Sequence, residues 1–374
     1  MKKCILISDS FKGTLSSLEI CAIGRRCFER FLPDWELRAI PVADGGEGTL
    51  DCFGILPGAE LIKAEVAGPY FEKLSASYVL LGDTAVIEMA QAAGLPLVGN
   101  NKNPAKTTTH GVGELMRLAL EAGCRKIMLG IGGSATNDGG CGALAALGAE
   151  FYDAAGESFI PVGGTLGRIA RINAEPARDL LRGIDIRVMC DVTNPLFGEK
   201  GAAYIFGPQK GADKAMVEAL DAGLRVFSEK LRELGEDVAA VPGAGAAGGM
   251  GAGLMAVIGA ELQSGIDAVL DASDFERELS GAALVISGEG RLDSQSADGK
   301  VISGIARRCK AAGVPMVVLS GAVADSAANI YDCGVSAVFN TNRDAKSMDV
   351  LKESAAADYE AALGDLLRLI RIFG

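Results

Sequence analysis

The chain has 374 residues, of which 49% are hydrophobic and 22% charged, and its formal net charge is -12. This length favours two domains, and the composition is typical of a globular protein with a large core. The acidic field disfavours nucleic-acid and anionic-membrane partners, so an anionic ligand would need local cations or a metal ion.

The cysteines and the apolar runs bear on the compartment. Nine cysteines show no Cys-x-x-Cys spacing, and only four apolar residues follow Lys3, too few for a secretory leader. The uncharged stretch at residues 243–260 is too rich in glycine to stabilise a bilayer span. We therefore expect a cytoplasmic protein without a membrane segment.

Strands and helices alternate at both ends of the chain. Residues 4–8 and 38–43 predict strands, and between them Ser16 and Glu19 form a capping box that opens a helix. Near the other end, residues 283–287, 302–310 and 316–320 predict strand, helix and strand. This alternation predicts a parallel sheet covered by helices.

The middle of the chain has a different pattern. Residues 78–81 and 85–89 flank a two-residue hairpin signal, Gly82-Asp83, which indicates an antiparallel or mixed sheet. A helix at 112–122, a strand at 127–131 and a long amphipathic helix through 217–231 follow. We predict one discontinuous α/β domain, residues 1–62 with 278–374, and an inserted α/β domain, residues 63–277.

Four loops rich in glycine and charge follow predicted strands. They are DSFKGT at 9–14, ADGGEGT at 43–49, GIGGSATNDGG at 130–140 and GEGRLDSQSADGK at 288–300. The last is not a Walker A loop, because Ser294 replaces the first glycine and Val301 the final Ser or Thr. Glycines expose N–H groups to an anion, lysines add charge and carboxylates hold a metal ion. Together the loops indicate phosphoryl chemistry, although a plain turn is the alternative for each one singly.

Two further segments have competing interpretations. PGAGAAGGMGAG at 242–253 contains GxGxxG, but Pro242 interrupts the approach, which favours helix packing or a flexible turn over a dinucleotide site. His110 is the only histidine, which excludes histidine-rich metal sites. We interpret it as a hydrogen-bonding loop residue near a ligand rather than as a base.

Two polar stretches follow apolar segments in the middle of the chain. Asp191 ends one apolar run, where it could accept a hydroxyl proton or form a turn before Pro195. Lys210 could reach a phosphate or carboxylate, or be an ordinary surface lysine.

A series of motifs spanning nearly the whole chain resembles the bacterial glycerate kinase family, of the type with an inserted domain and no Walker motif. The motifs are DSFKGTLSS, VADGGEGT, IEMAQAAGLPLV, TTTHGVGEL, GIGGSATNDGG, CDVTNPLFG, FGPQKGA, PGAGAAGG and GEGRLDSQ with GK. The chain departs from the family pattern at His110, where the family tends to have tyrosine, and at Ile302, where it tends to have proline. Neither departure removes an ionisable group that the mechanism needs.

The resemblance implies a fold and an activity. The fold would be a flavodoxin-like domain built from both ends and an α/β insert, with the active site in the cleft between them. The activity would be ATP- and Mg²⁺-dependent phosphorylation of D-glycerate in organic-acid catabolism, with 2-phosphoglycerate favoured over the 3-phospho isomer. A homodimer is compatible with these features, and no nucleic-acid or membrane partner is expected.

On this basis we assign candidate site residues. Asp191 would receive or orient the hydroxyl proton, with Lys12 and Asp44 as further catalytic residues, and Glu289 and Asp293 would hold Mg²⁺. The amides around Gly132, Gly133 and Ser134 would form an anion cradle. The residues predicted to contact substrate or phosphate are Asp9, Ser10, Glu47, His110, Gly132, Gly133, Ser134, Asp138, Asn194, Lys210, Arg291 and Lys300.

Two other classes of function compete with a kinase. A non-catalytic sensor of a small hydroxy acid would explain the glycine-rich loops but not the carboxylates beside them, which repel an anion. An NAD-dependent dehydrogenase would use residues 243–248, and absence of NADH binding would exclude it.

Overall fold

The computed structural model describes residues 1–11, 13–43, 45–46, 48–293, 296, 301–344 and 346–373. The chain forms two compact units, unit 1 with Met1–Asp44 and Ser264–Gly374, and unit 2 with Gly45–Gln263. Both divisions fall earlier in the chain than the predicted 62/63 and 277/278. The reason is that strand Ala59–Ala67 pairs within the sheet of unit 2, while helix Gly265–Ala272 packs in unit 1, where its Ile266 lies against Gly304.

The regular elements are numbered in chain order. The strands are β1 (Lys2–Ser8), β2 (Trp35–Pro41), β3 (Ala59–Ala67), β4 (Lys73–Leu81), β5 (Thr84–Glu88), β6 (Lys126–Gly130), β7 (Glu150–Tyr152), β8 (Arg171–Asn173), β9 (Asp185–Met189), β10 (Glu261–Gln263), β11 (Ala282–Glu289), β12 (Met316–Ser320) and β13 (Val335–Asn340). The helices are α1 (Ser17–Phe31), α2 (Thr49–Gly54), α3 (Ala90–Ala93), α4 (Leu95–Val98), α5 (His110–Glu121), α6 (Cys141–Ala146), α7 (Glu175–Leu180), α8 (Ala202–Phe206), α9 (Lys214–Glu233), α10 (Ala246–Ile258), α11 (Gly265–Ala272), α12 (Phe275–Leu279), α13 (Val301–Ala312) and α14 (Met348–Phe373).

Unit 1 is built on a parallel sheet in the order β13-β12-β11-β1-β2. Counted within the unit, this is the 2-1-3-4-5 order of flavodoxin-like folds, so the predicted fold class is confirmed. Side chains of β1, β11 and β12 join α1 and α14 in one apolar cluster that includes Leu6, Ile20, Ile286 and Tyr359. The order reverses between β1 and β11, and open α/β sheets bind ligands outside the strand ends at such a point.

Unit 2 contains the predicted mixed sheet, in the order β10-β9-β6-β5-β4-β3. The strands β5, β6, β9 and β10 are parallel, while β3, β4 and β5 are joined by antiparallel pairing. Gly82 has φ +61° in the turn between β4 and β5, as the two-residue hairpin signal predicts. The carboxyl ends of the four parallel strands therefore share one edge of the sheet.

Local signals in the sequence account for several element boundaries. The amide of Ser16 donates to Glu19 Oε2 at 2.8 Å and the amide of Glu19 to Ser16 Oγ at 3.2 Å, so the predicted capping box opens α1. The amphipathic pattern through 217–231 forms α9, whose buried face includes Leu220, Leu224 and Phe227. Among the described residues, no helix is long and apolar enough to cross a membrane.

Candidate active site

In unit 1, charged residues lie at the topological switch point of the sheet. Asp9 follows β1 and donates its amide to Gly288 O of β11 at 2.9 Å, so the ends of the two strands are joined. Ser10 in turn donates its amide to Asp9 Oδ1 at 2.7 Å. Glu289 ends β11, and the loop after it carries Arg291 and Asp293; the two acids are half-buried and the arginine is exposed. The structure thus brings together five of the predicted site residues, at the edge where this fold class binds ligands.

Four predicted site residues lie outside the described residues. They are Lys12, Asp44, Glu47 and Lys300. Their predicted roles remain predictions.

In unit 2, adjacent parallel strands bring the predicted residues of the middle segment to one edge. Glu88 of β5, Gly130 of β6 and Met189 of β9 lie side by side in register. The loop after β6, residues 131–140, and Asp191, two residues beyond β9, therefore lie at the same edge. Asp191 is half-buried.

The glycines of the β6 loop make a close backbone contact that sequence reasoning did not predict. The amide of Gly132 donates to Gly45 O at 3.1 Å. A Cβ on Gly130 would lie 2.5 Å from Gly45 O, and one on Gly132 would lie 2.6 Å from Gly46 Cα. These glycines thus allow one loop to pack on another, and the Gly132 N–H is used inside the protein. Within the described part of the chain, the Gly133 and Ser134 amides donate no hydrogen bond of this kind.

Asp138 is fully buried and organises the end of the β6 loop. Its carboxylate accepts hydrogen bonds from the amide and the hydroxyl of Thr109, both at 2.8 Å, and from the amides of Gly140 at 3.1 Å and Gly142 at 3.3 Å. Burial raises the pKa of Asp138, and these donated bonds oppose the rise. The predicted substrate contact is thus a carboxylate whose bonds tie the loop to α5 and α6.

Lys210 is also buried, so the surface-lysine alternative is wrong. Its ammonium donates to Ser134 Oγ at 2.7 Å and to Thr136 O at 2.6 Å. Burial lowers its pKa to about 7, against an opposing contribution from the charge of Asp138. The lysine therefore contacts the β6 loop from within unit 2.

Glu88 is a buried acid at this edge that sequence reasoning missed. Its Oε1 accepts the amide of Thr49 at 3.2 Å, at the start of α2. Burial raises the pKa of Glu88 to about 7, while hydrogen bonds from Thr49, the Gln91 side chain and the Gly48 amide lower it. The available signal was an acid at the end of an apolar strand in IEMAQAAG, the same signal that identified Asp191.

His110 and Asn194 both take part in local structure. His110 begins α5, and its Nδ1 lies 3.6 Å from Glu114 Oε1 one turn later. Its ring centroid is 5.8 Å from that of Phe71, a half-exposed residue with φ +64°. Asn194 donates from Nδ2 to Lys200 O at 2.8 Å, which closes the loop after β9.

The glycine-rich segment at 242–253 forms the start of α10 and packs on the β6 loop. A Cβ on Gly248 would lie 2.2 Å from Thr136 O, and one on Gly253 would lie 2.0 Å from Gly139 O. The amide of Gly139 donates to Gly248 O at 3.0 Å. The close packing fits the helix-packing interpretation of GxGxxG.

Comparison with known proteins identifies the family. Residues 4–371 match the sequence model of the Glycerate kinase family. A glycerate kinase of Bacillus cereus is 41% identical over 99% of this chain and 98% of its own, and a glycerate 2-kinase of Escherichia coli K12 is 46% identical over 90% of each chain. The crystal structure of a Salmonella typhimurium LT2 protein, provisionally assigned as glycerate kinase 2, superposes with a TM-score of 0.87 at 39% identity, covering 99% of this chain and 98% of that one. The chain belongs to the glycerate kinase family.

Proposed function

We propose that the protein transfers the γ-phosphoryl group of ATP to D-glycerate and forms 2-phosphoglycerate. The observation that carries this proposal is the family match along almost the whole chain, joined by relatives named glycerate kinase and glycerate 2-kinase at 41% and 46% identity. Membership of a kinase family argues against the sensor and the dehydrogenase.

The switch-point residues of unit 1 fit a magnesium nucleotide. Mg²⁺ prefers oxygen ligands, keeps several waters and is commonly held by one or two carboxylates together with substrate phosphates. Glu289, the last residue of β11, and Asp293, four residues further along the chain, are two half-buried carboxylates. Across the described ranges, no group of three or more acids, histidines or cysteines could hold a metal ion. We therefore assign the Mg²⁺ of MgATP to Glu289 and Asp293, where it would neutralise phosphate charge during transfer.

The acceptor hydroxyl needs a group that receives its proton. In the reaction an oxygen–phosphorus bond forms between glycerate and the γ-phosphorus, and the bond from that phosphorus to the β-bridging oxygen breaks. Asp191 is suited to take the proton, because it is half-buried two residues beyond β9, at the sheet edge that also carries the β6 loop. Asn194, bonded to Lys200 O, would support the loop that carries Asp191.

An anion would be bound at the β6 loop. The amides of Gly133 and Ser134 are the donors we assign to a phosphate or to the glycerate carboxylate, while Gly132 shapes the turn. Asp9, Ser10 and Arg291 would act with the nucleotide in unit 1. The proposed roles are thus distributed over both units.

The proposed function also includes a cellular compartment and an oligomeric state. The nine cysteines all lie in the described part of the chain, where no disulfide bond joins them, and seven of them are buried. Free thiols are typical of a reducing compartment, which supports a cytoplasmic enzyme. A homodimer stays a prediction, which sedimentation of the purified protein would test.

Phosphorus NMR tests the function directly. Purified protein would be incubated with ATP, Mg²⁺ and D-glycerate, and each component would be omitted in turn. We expect a new phosphomonoester only in the complete mixture, with the coupling pattern of the 2-phospho isomer. Intact ATP in the presence of folded protein would refute the proposal, and 3-phosphoglycerate would refute its regiochemistry.

A further inference from the structure

We propose that Lys210 is a positioning residue, which holds residues 132–134 of the β6 loop in their anion-binding shape without touching the anion itself. The inference deepens the proposed function and rests on it. It replaces the direct phosphate contact that the sequence suggested for this lysine.

The first support is the geometry of the ammonium group. The lysine is 2% exposed, so the whole side chain is enclosed by protein. Its Nζ donates to Ser134 Oγ at 2.7 Å and to Thr136 O at 2.6 Å, and thereby bonds the loop on both sides of Ala135. A hydrogen bond from Lys210 fixes the hydroxyl of the residue whose amide we assign to the anion.

The segment that carries Lys210 is built to present it. Pro208 starts a single 3-10 turn that ends at Lys210, and Gly211 leaves that turn with φ +94°. A Cβ on Gly211 would lie 2.6 Å from Lys102 Cβ and 2.7 Å from Lys102 O, so only glycine fits there. FGPQKGA therefore encodes a rigid turn around one buried lysine.

The opposite side of the loop is held by neutral contacts. The amide of Ala135 donates to Ala93 O and that of Leu95 to Gly133 O, both at 2.8 Å, and Thr107 Oγ1 donates to Ala135 O at 2.8 Å. These bonds fix the loop to the segment after β5 and to the segment that precedes α5. The hydroxyl of Ser134 receives its hydrogen bond from Lys210 alone among the bonds of the described residues.

The charge balance argues that the lysine serves function more than stability. Placing an ammonium group in the interior is unfavourable, as its lowered pKa of about 7 indicates. Asp138 offsets part of that charge, but its carboxylate already accepts bonds from Thr109, Gly140 and Gly142. A neutral residue of similar length could fill the same volume, so the ammonium is retained for what it does to the loop.

The test compares Lys210→Met with the wild type and with Lys346→Met. Lys346 pairs with Asp358 Oδ2 at 2.7 Å in unit 1. Its variant therefore loses a lysine–aspartate pair that is distant from the β6 loop in sequence and, among the described residues, makes no contact with it. We expect Lys210→Met to raise the KM for ATP or for D-glycerate about tenfold, with kcat changed by less than about threefold. Lys346→Met should leave both KM values unchanged.

A double-mutant cycle with Ser134→Ala separates an indirect role from a direct one. If Lys210 acts through Ser134, the combined variant should have nearly the KM of Lys210→Met alone. If the two substitutions instead raise the KM by factors that multiply in the combined variant, the proposal is overturned, because the lysine would then contact the anion itself.

Hydrogen exchange of the peptide covering residues 130–140 gives a readout that needs no turnover. We expect faster exchange in Lys210→Met than in the wild type and no change in Lys346→Met. Unchanged exchange together with unchanged KM values would overturn the proposal. If the wild type has no kinase activity but the loop exchanges faster in Lys210→Met, the proposed function is refuted and the positioning role is retained.

Discussion

The two units use the same sequence signature, a parallel strand followed by glycines and charges, for different physical purposes. In unit 1, Asp9 after β1, Glu289 at the end of β11 and Asp293 in the loop that follows are half-buried at the switch point. In unit 2 the charges of Glu88, Asp138 and Lys210 are buried and bonded to neighbouring loops. The difference teaches that a charge at a strand end can contact a ligand or can hold the loop that does.

Asp191 is a half-buried acid that follows β9 in unit 2, and its replacement should have the largest effect. Asp191→Asn keeps the shape of the side chain and removes the proton acceptor, so we expect kcat to fall about a thousandfold with little change in stability. Steady-state kinetics together with thermal unfolding would measure both. If folded Asp191→Asn turns over near the wild-type rate, another group must accept the hydroxyl proton.

A pair of substitutions tests the contrast between the units directly. Asp138→Asn places an amide NH₂ among the donors of Thr109, Gly140 and Gly142, so we expect the free energy of unfolding to fall by about 3 kcal/mol. Asp9→Asn can still accept the Ser10 amide and should cost less than about 1 kcal/mol.

Urea unfolding of both variants against the wild type gives the two values. Equal losses would break the proposed distinction between buried loop supports and half-exposed contacts.

The pH dependence of stability tests whether Glu88 is a buried titrating acid. Its pKa is about 7 in the folded protein and near 4.5 when unfolded, so the native state binds the extra proton and stability falls as the pH rises from about 4.5 to 7. Glu88→Gln cannot titrate. We expect the stability of the wild type relative to the variant to fall by up to about 3 kcal/mol across this range.

Urea unfolding at pH 5, 6, 7 and 8 measures this difference, with Glu60→Gln on the exposed face of β3 as the matched control. A difference between wild type and Glu88→Gln that stays constant with pH would contradict the buried titration.

The smallest expected effect concerns the magnesium ligands of unit 1. Glu289→Gln and Asp293→Asn should each raise the Mg²⁺ concentration for half-maximal activity about tenfold, because a neutral amide is a weaker ligand for a hard cation. Asp325→Asn, at an exposed acid of the same unit, should leave the titration unchanged. If the Mg²⁺ titrations of all three variants superimpose, the metal ion must be bound by other groups.

The sequence predicts most of the fold because its signals are local. Hairpin glycines, the capping box at Ser16 and the apolar periods of α9 each depend on a few neighbouring residues. The predicted domain boundaries lie later in the chain than the divisions between the two units, because long-range pairing and packing decide which unit contains β3 and α11.

The candidate site was predictable by location and less so by role. The strand-end rule found Asp9, Glu289 and Asp191, since parallel strands bring their carboxyl ends together. It could not predict that Asp138 and Lys210 are buried, because burial depends on residues distant in the chain. The Gly45–Gly132 contact was likewise hidden, since sequence does not reveal which backbone a glycine allows to approach.

The burial of the thiols affects their reactivity toward oxidants. Burial raises the pKa of Cys21 and Cys27 to about 11 and that of Cys309 to about 12, so almost no thiolate of these three exists at neutral pH to react with peroxide or with alkylating reagents. Unfolding would expose the same sulfur atoms and restore their reactivity. The folded enzyme thus shields these buried cysteines, and the rate at which they become alkylated measures how often the chain opens.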